Sequence, residues 1–242
     1  MILANHGTIS SSGGLPPSTL NNNIIAMYKA ESNANDSLST YNGTAYGGLT
    51  YASGKSGNAF SFNGTTSYVD MGDVMDIGLN SWSYSFWCNQ NNTADKVPFS
   101  KTRAMSETGR IWTTILSNKL DFNFQPSGFG TITITSTQNI SVNTWYNFVF
   151  VFDRSDKMKI YINGVLETVT NLGITNNLTS YSSDNYNTAS PFRLGAYTSA
   201  DNITPLPSWS GLMDEVGVWN RVLTQSEITE LYNSSSGKFY PY

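Results

Sequence analysis

The segment Trp82-Ser83-Tyr84-Ser85-Phe86 sets a ring against a serine at every step. In extended backbone, successive side chains point to opposite faces, so the three rings share one face and the serines the other. On a helix the same rings would scatter around the axis. The segment can therefore bury its rings only as a strand. Gly130-Thr131-Ile132-Thr133-Ile134-Thr135 alternates in the same way, as does Lys157-Met158-Lys159-Ile160-Tyr161-Ile162. Trp145 to Phe152 is apolar on both faces apart from Asn147, the pattern of a central strand covered on both sides. Asn163-Gly164 then separates two apolar runs, and that pair suits the positive φ angles of a type I′ hairpin turn. These patterns predict an all-β chain.

Composition narrows the class. Charged residues make up 12% of the 242, about half the usual share of ~25%, while Asn, Ser and Thr together number 85. A disordered chain would be poor in aromatics, and this one is 13% aromatic. The surface is therefore expected to be built of amides and hydroxyls rather than ions. A net charge of −4 with dispersed Lys and Arg argues against a nucleic-acid partner. No apolar run reaches 18 residues, so no membrane span is expected. The length suits one β domain. The single cysteine, Cys88, reads as a small strand residue. Met1 to Gly7 lacks the basic region and apolar length of an export signal, which predicts synthesis in a cytosol.

Residues 1–22 are rich in Gly, Ser, Pro and Asn and read as an extended arm for assembly or tethering, ahead of a domain over 23–242. Strands are expected at Ile24–Tyr28, Ala59–Phe62, Ser67–Met71, Arg110–Leu116 with Leu120–Gln125, Val165–Val169, Phe192–Gly195 and Gly211–Trp219. Residues 31–57 and 171–190 read as loops. Thr224-Gln225-Ser226-Glu227 is a capping box, and Ile228, Leu231 and Tyr232 follow at helical spacing, so one short helix is expected near the C-terminus.

Catalytic patterns are scarce. The only histidine is His6, which leaves no triad and no histidine metal site. Asp214 and Glu215 are adjacent, so on a regular strand they face opposite sides and cannot form a glycosidase pair. Calcium takes six to eight oxygens, often from loops, and Asp36, Asn42 and Asp214 are candidate ligands. The competing reading has Asp36 capping a turn and Asp214 pairing with Arg193 or Arg221. Tyr181, Tyr186, Tyr197, Trp209 and Trp112 lie in or near polar segments, where rings could stack on sugars. For each ring, packing within the core or a loop is the competing reading.

Taken in order, several pieces resemble concanavalin A-like, laminin-G-type jelly-roll domains. They are Tyr28-Lys29-Ala30-Glu31 with Asp36-Ser37 and Asn42-Gly43-Thr44, Gly54 to Gly64 followed by Tyr68-Val69, Ser85-Phe86-Trp87, Asn143 to Tyr146, Ile160 to Gly164 and Gly211 to Thr224. The resemblance spans roughly residues 24–234 and implies a two-sheet antiparallel jelly-roll sandwich that binds glycans or proteins. It also implies a structural Ca²⁺ held by Asp36 and Asp214 with backbone near Asn42. Asn63 stands where family members usually have Asp, which weakens any ligand role there, and Trp87 and Trp145 resemble core positions. Met1 to Gly7 with Ser10 to Gly14 resembles the start of structural proteins of tailed phages infecting Bacteroidetes-type hosts.

The resulting expectation is a non-catalytic virion surface protein: a capsid decoration, head fibre or tail component. Its partners would be other virion proteins or sister copies through the arm, and host glycans through the loops. The alternatives are a bacterial cell-surface carbohydrate-binding module and a polysaccharide hydrolase of the concanavalin A-like superfamily.

Overall fold

The computed structural model describes residues 17–94, 96–102, 107–128, 130–198 and 204–242. Two antiparallel sheets of eight strands each face one another. The first sheet runs in the order Val165–Leu166, Met158–Ile162, Tyr146–Phe152, Trp82–Gln90, Ser210–Trp219, Asn58–Asn63 and Thr50–Ser53. Ile24–Tyr28 pairs with the second half of Ser210–Trp219, beyond the stretch that pairs with Asn58–Asn63. The second sheet runs Val169–Gly173, Ile132–Asn139, Lys119–Phe124, Ile111–Leu116, Phe99–Lys101, Phe192–Leu194, Tyr68–Asp70 and Thr44–Tyr46. A small ribbon, Ala196–Thr198 with Pro205–Pro207, leaves the end of the second sheet. The chain is all-β as the alternation predicts, and the arrangement is the two-sheet jelly-roll sandwich that the family resemblance implies.

The core is an aromatic seam between the sheets. Phe86 and Phe150 come from adjacent strands of the first sheet, with ring centroids 5.8 Å apart. From the second sheet, Phe99 meets Phe150 edge-on at 5.7 Å and Phe122 lies 5.2 Å from it. All four rings are buried. Phe150 thus touches both layers, and its strand is covered on both sides as its sequence requires. Val149 and Val151 point the other way, into a second buried cluster with Trp219, Leu223, Ile228 and Leu231.

That second cluster is roofed by the helix Gln225–Tyr232. Thr224 caps it by accepting from the Glu227 N–H, and the Glu227 carboxylate accepts from the Thr224 N–H at 2.9 Å, closing the capping box. Arg221 grips the same carboxylate through both terminal nitrogens, at 2.8 and 2.7 Å. The serine face of Trp82–Gln90 lies beneath this segment: Ser83 donates to the Arg221 carbonyl and accepts from the Leu223 N–H.

The structure adds the short strands Phe99–Lys101, Ala196–Thr198 and Pro205–Pro207 to those expected, and it differs from the sequence reading elsewhere as well. Residues 1–16 of the expected arm lie outside the described residues, but its last residues belong to the domain. Leu20 is fully buried in the second cluster, its carbonyl accepts from the Trp219 indole at 2.7 Å, and Thr19 donates to Glu227. Within the expected loop 31–57, Thr44–Tyr46 and Thr50–Ser53 are strands. Both lie at sheet edges and carry few apolar side chains, so they lack a periodic signal. The run Val165–Val169 is divided: Val165–Leu166 ends the first sheet and Val169–Gly173 starts the edge of the second. The Asn163-Gly164 turn is as expected, with φ of 52° and 78°.

Because Phe150 sits where both sheets meet, Phe150→Ala should destabilise the domain by about 3–5 kcal/mol. Urea unfolding would show this as a lower midpoint at unchanged slope, and an unshifted midpoint would contradict the seam's central place.

Candidate functional site

The two outer faces of the sandwich differ. The first sheet's is partly roofed by the helix, whereas the middle of the second presents a row of short polar side chains. On Ile111–Leu116, the inward residues Ile111, Thr113 and Ile115 are buried, and Trp112, Thr114 and Leu116 point outward. Register places Asn123 beside Trp112 and Asp121 beside Thr114. The polar groups satisfy one another: Thr114 donates to Asp121 Oδ2 at 3.0 Å, Thr133 donates to Asn123 Oδ1 at 2.8 Å, and the Asn123 amide donates to the Trp112 carbonyl at 3.3 Å. Burial pushes the Asp121 carboxyl upward against the pull of its threonine hydrogen bonds. The Arg110 guanidinium lies 5.2 Å from the Trp112 ring centroid.

At one end of this face is a surface pocket of about 410 Å³, lined by Lys96, Val97, Trp112, Thr114, Leu116, Tyr197 and Ser208. Its walls come from three separate segments. The outward parity of Ile111–Leu116 supplies Trp112, Thr114 and Leu116. Lys96 is fixed by a reciprocal backbone pair with Ile115, at 3.1 and 2.9 Å. Tyr197 stands on the small ribbon opposite Leu206 and is 39% exposed. Ser208 is held in place by the Val97 N–H, which donates to its hydroxyl at 2.9 Å. The site thus combines two partly exposed rings, two hydroxyls and one ammonium.

Of the five aromatics expected to stack on sugars, Tyr197 and Trp112 line this pocket. The other three lie elsewhere. Trp209 is fully buried in the main core, so its ring offers no face to a sugar. Tyr186 is 3% exposed, meets Phe124 edge-on at 5.1 Å, and donates its hydroxyl to Asp184. Tyr181 packs half-buried against the core, and its carbonyl accepts from Arg154 at 2.6 Å. These three rings anchor loops. Lys96 carried no sequence signal as a site residue; only the bridge to Ile115 brings it to the pocket.

A sequence profile of the concanavalin A-like lectin/glucanases superfamily, of laminin-G type, matches residues 63–229. The chain belongs to this superfamily. Solved structures agree with the fold. Domain 4 of AbnA, a GH43 extracellular arabinanase from Geobacillus stearothermophilus solved in complex with arabinotriose, superposes with a TM-score of 0.62 at 21% identity, over 89% of this chain and 98% of that one. The binding domain of Paraclostridial Mosquitocidal Protein 1 gives 0.69 at 15% identity, over 89% of this chain and 53% of that one. A binding domain of botulinum neurotoxin DC, solved with rat synaptotagmin II, gives 0.63 at 15% identity, over 89% and 52%. The chain thus spans about half the length of these toxin domains. No curated protein matches the sequence. No helix among the described residues is long and apolar enough to cross a membrane.

The calcium that the superfamily suggests does not fit the three candidate ligands. Asp36 Oδ1 accepts from the Met27 and Leu38 N–H groups at 2.8 and 3.0 Å, and Oδ2 accepts from those of Thr40 and Tyr41 at 3.0 and 3.1 Å. Asn42 Oδ1 accepts from the Asp36 N–H at 3.0 Å. Asp214 Oδ2 accepts from the Lys55 and Ser56 N–H groups, and Oδ1 from that of Glu215. Backbone N–H groups thus point their positive ends at the oxygens a cation would need. Among the described residues no three His, Cys, Asp or Glu side chains gather as a metal site. Asp36 is the turn cap of the competing reading. Asp214 pairs with neither arginine named there: Arg193 holds Asp70 and Arg221 holds Glu227.

Asp214 and Glu215 also break the expected alternation. Glu215 has a φ of 51°, and the pairing with Trp82–Gln90 shifts register between Asp214 and Gly217. This bulge leaves both side chains buried. Neither Glu215 oxygen has a hydrogen bond of ordinary geometry. The Tyr240 N–H and Lys29 are near enough to favour the carboxylate, while burial and the neighbouring Asp214 oppose it and push the carboxyl up to about 8. Burial also raises Asp214, against its three N–H bonds. The Glu227 carboxyl goes the other way, to about 2, because Arg221, Thr19 and Thr224 outweigh its burial.

Stability should therefore be bell-shaped in pH. Glu227 makes it rise with pH between about 2 and 4.5, where the unfolded chain binds the extra proton. Glu215 makes it fall between about 4.5 and 8, where the folded chain does. Asp214, raised to about 6, adds to the lower part of the falling limb, so thermal melts should peak near or a little below pH 4.5 and Glu215→Gln should flatten the limb between about pH 6 and 8; a limb unchanged there in that variant would contradict the assignment. Chelator and added Ca²⁺ should leave the melting temperature unmoved, and a shift would contradict the reading of Asp36 and Asp214 as backbone clips.

Proposed function

We propose that the domain is a non-catalytic saccharide-recognition module displayed on a phage virion, with Trp112 and Tyr197 as its stacking platform. The observation that carries this reading is the pocket itself. Two partly exposed rings stand beside the hydroxyls of Thr114 and Ser208, and no carboxylate or histidine is among the described lining residues. Rings supply area for the apolar faces of a sugar and hydroxyls meet its edges, whereas sugar hydrolysis calls for two carboxylates across the bond. Fold relatives point the same way: the arabinanase domain was solved in complex with arabinotriose, and a botulinum neurotoxin type C structure is described through interaction with two ganglioside molecules.

The virion setting rests on the resemblance of Met1 to Gly14 to tailed-phage structural proteins. The arm would join the domain to other virion proteins or sister copies, and many copies would raise the effective concentration of weak sites. Cell-surface or extracellular display remains the alternative setting for the same module.

On a glycan array the wild-type chain should retain at least one saccharide, and Trp112→Ala or Tyr197→Ala should weaken that binding about tenfold, equivalent to ~1.4 kcal/mol. Unchanged affinity in both variants would refute the platform. A chain lacking residues 1–16 should stay folded but fail to enter particles, and normal incorporation would refute the tether.

A further inference from the structure

We infer that the pocket's ligand is an acidic saccharide, a sugar bearing a carboxylate or sulfate that pairs with Lys96; this rests on the saccharide reading above. The domain contains two buried lysines, and the fold treats them differently. Lys101, fully buried, meets Asp73 and Asp76 at 3.4 and 3.1 Å and donates to the Val74 and Ser190 carbonyls at 2.8 Å each. Lys96 is only 2% exposed, yet among the described residues its ammonium has neither an ion pair nor a hydrogen bond.

Its stem is buried while its ammonium opens only into the pocket, and the usual partners of a sequestered lysine are a carboxylate or a cluster of carbonyls. Lys96 lacks both, and its backbone cannot move away because the reciprocal bonds to Ile115 hold it against the second sheet. Burial accordingly pulls its ammonium below the usual lysine range. The group nevertheless lines a pocket whose other walls are two rings and two hydroxyls. The carboxylate nearest in the register, Asp121, is bonded to Thr114 and is not among the lining residues. An anionic group on a sugar stacked on Trp112 would supply the missing partner as a hydrogen bond with charge on both sides, where a neutral sugar offers only a hydroxyl. Lys96 is thus a specificity residue, while the rings supply affinity common to neutral and acidic sugars.

The test is a panel of matched pairs titrated calorimetrically at low salt. It would set oligogalacturonates and sialyllactose against their methyl esters, and sulfated oligosaccharides against desulfated forms. At least one acidic member should bind tenfold or more tighter than its neutral partner. The carboxylate and sulfate arms show which anion is preferred. Lys96→Gln should bring that ratio to about one, and Lys96→Arg should retain the preference. If Lys96→Gln fails to fold, Lys96→Met carries the same expectation. Equal binding within every pair would overturn the acidic-sugar inference and leave the stacking platform intact. No binding by any saccharide would overturn both.

Discussion

The seam of rings between the two sheets is the constraint on which the rest of the structure depends. Phe86 and Phe150 from one layer lock against Phe99 and Phe122 from the other, at centroid distances between 5.2 and 6.1 Å, and Phe148 packs beside them within the first layer. Such contacts are directional, and rings prefer offset or edge-on approach. They therefore hold the two layers in one relative position as well as excluding water. A one-residue slip in Trp82–Gln90 would turn Trp82, Tyr84 and Phe86 outward and bring Ser83 and Ser85 into the core, so strand register and core packing specify each other.

Once the seam is fixed, the outer faces are free to diverge. On the first sheet, Val149, Val151 and Trp219 need a cover, which the capped helix and Leu20 provide. Around the middle of the second sheet, threonines, Asn123 and Asp121 pair laterally and need no cover, which leaves Trp112 partly open at one end. The low charge of the sequence has its structural counterpart here: a sheet face closed mainly by amides and hydroxyls, with Lys96 the one cation among the described lining residues of the pocket.

Much of this was legible from side-chain parity. Alternation along Trp82–Gln90 and Ile132–Asn139 identifies the inward residues, and Asn163-Gly164 and Thr224 to Glu227 mark the turn and the helix start. Parity also sends Trp112 outward, because Ile111, Thr113 and Ile115 must face in. The site was harder to read because it depends on where loops come to rest. Tyr197 and Trp209 both sit in aromatic-containing polar segments, yet one lines a pocket and the other fills the core. Asp36 and Asp214 have the residue type of metal ligands, but their oxygens are spent on backbone N–H groups within loops, a role that short acidic side chains commonly take. Glu215 was misread because a strand bulge overrides alternation. Lys96 was invisible because nothing local distinguishes a lysine that will be buried without a partner.

The central claim is that this sheet face, and no other, receives a sugar. The six tryptophans provide built-in reporters, since each indole N–H gives its own amide-correlation signal. Saturating the protein with an array-selected saccharide should move the Trp112 indole resonance strongly. Trp209 and Trp219, both fully buried, should stay in place, as should half-buried Trp145. A shift centred on Trp145 or spread over the roofed side of the first sheet, with Trp112 unmoved, would contradict the account.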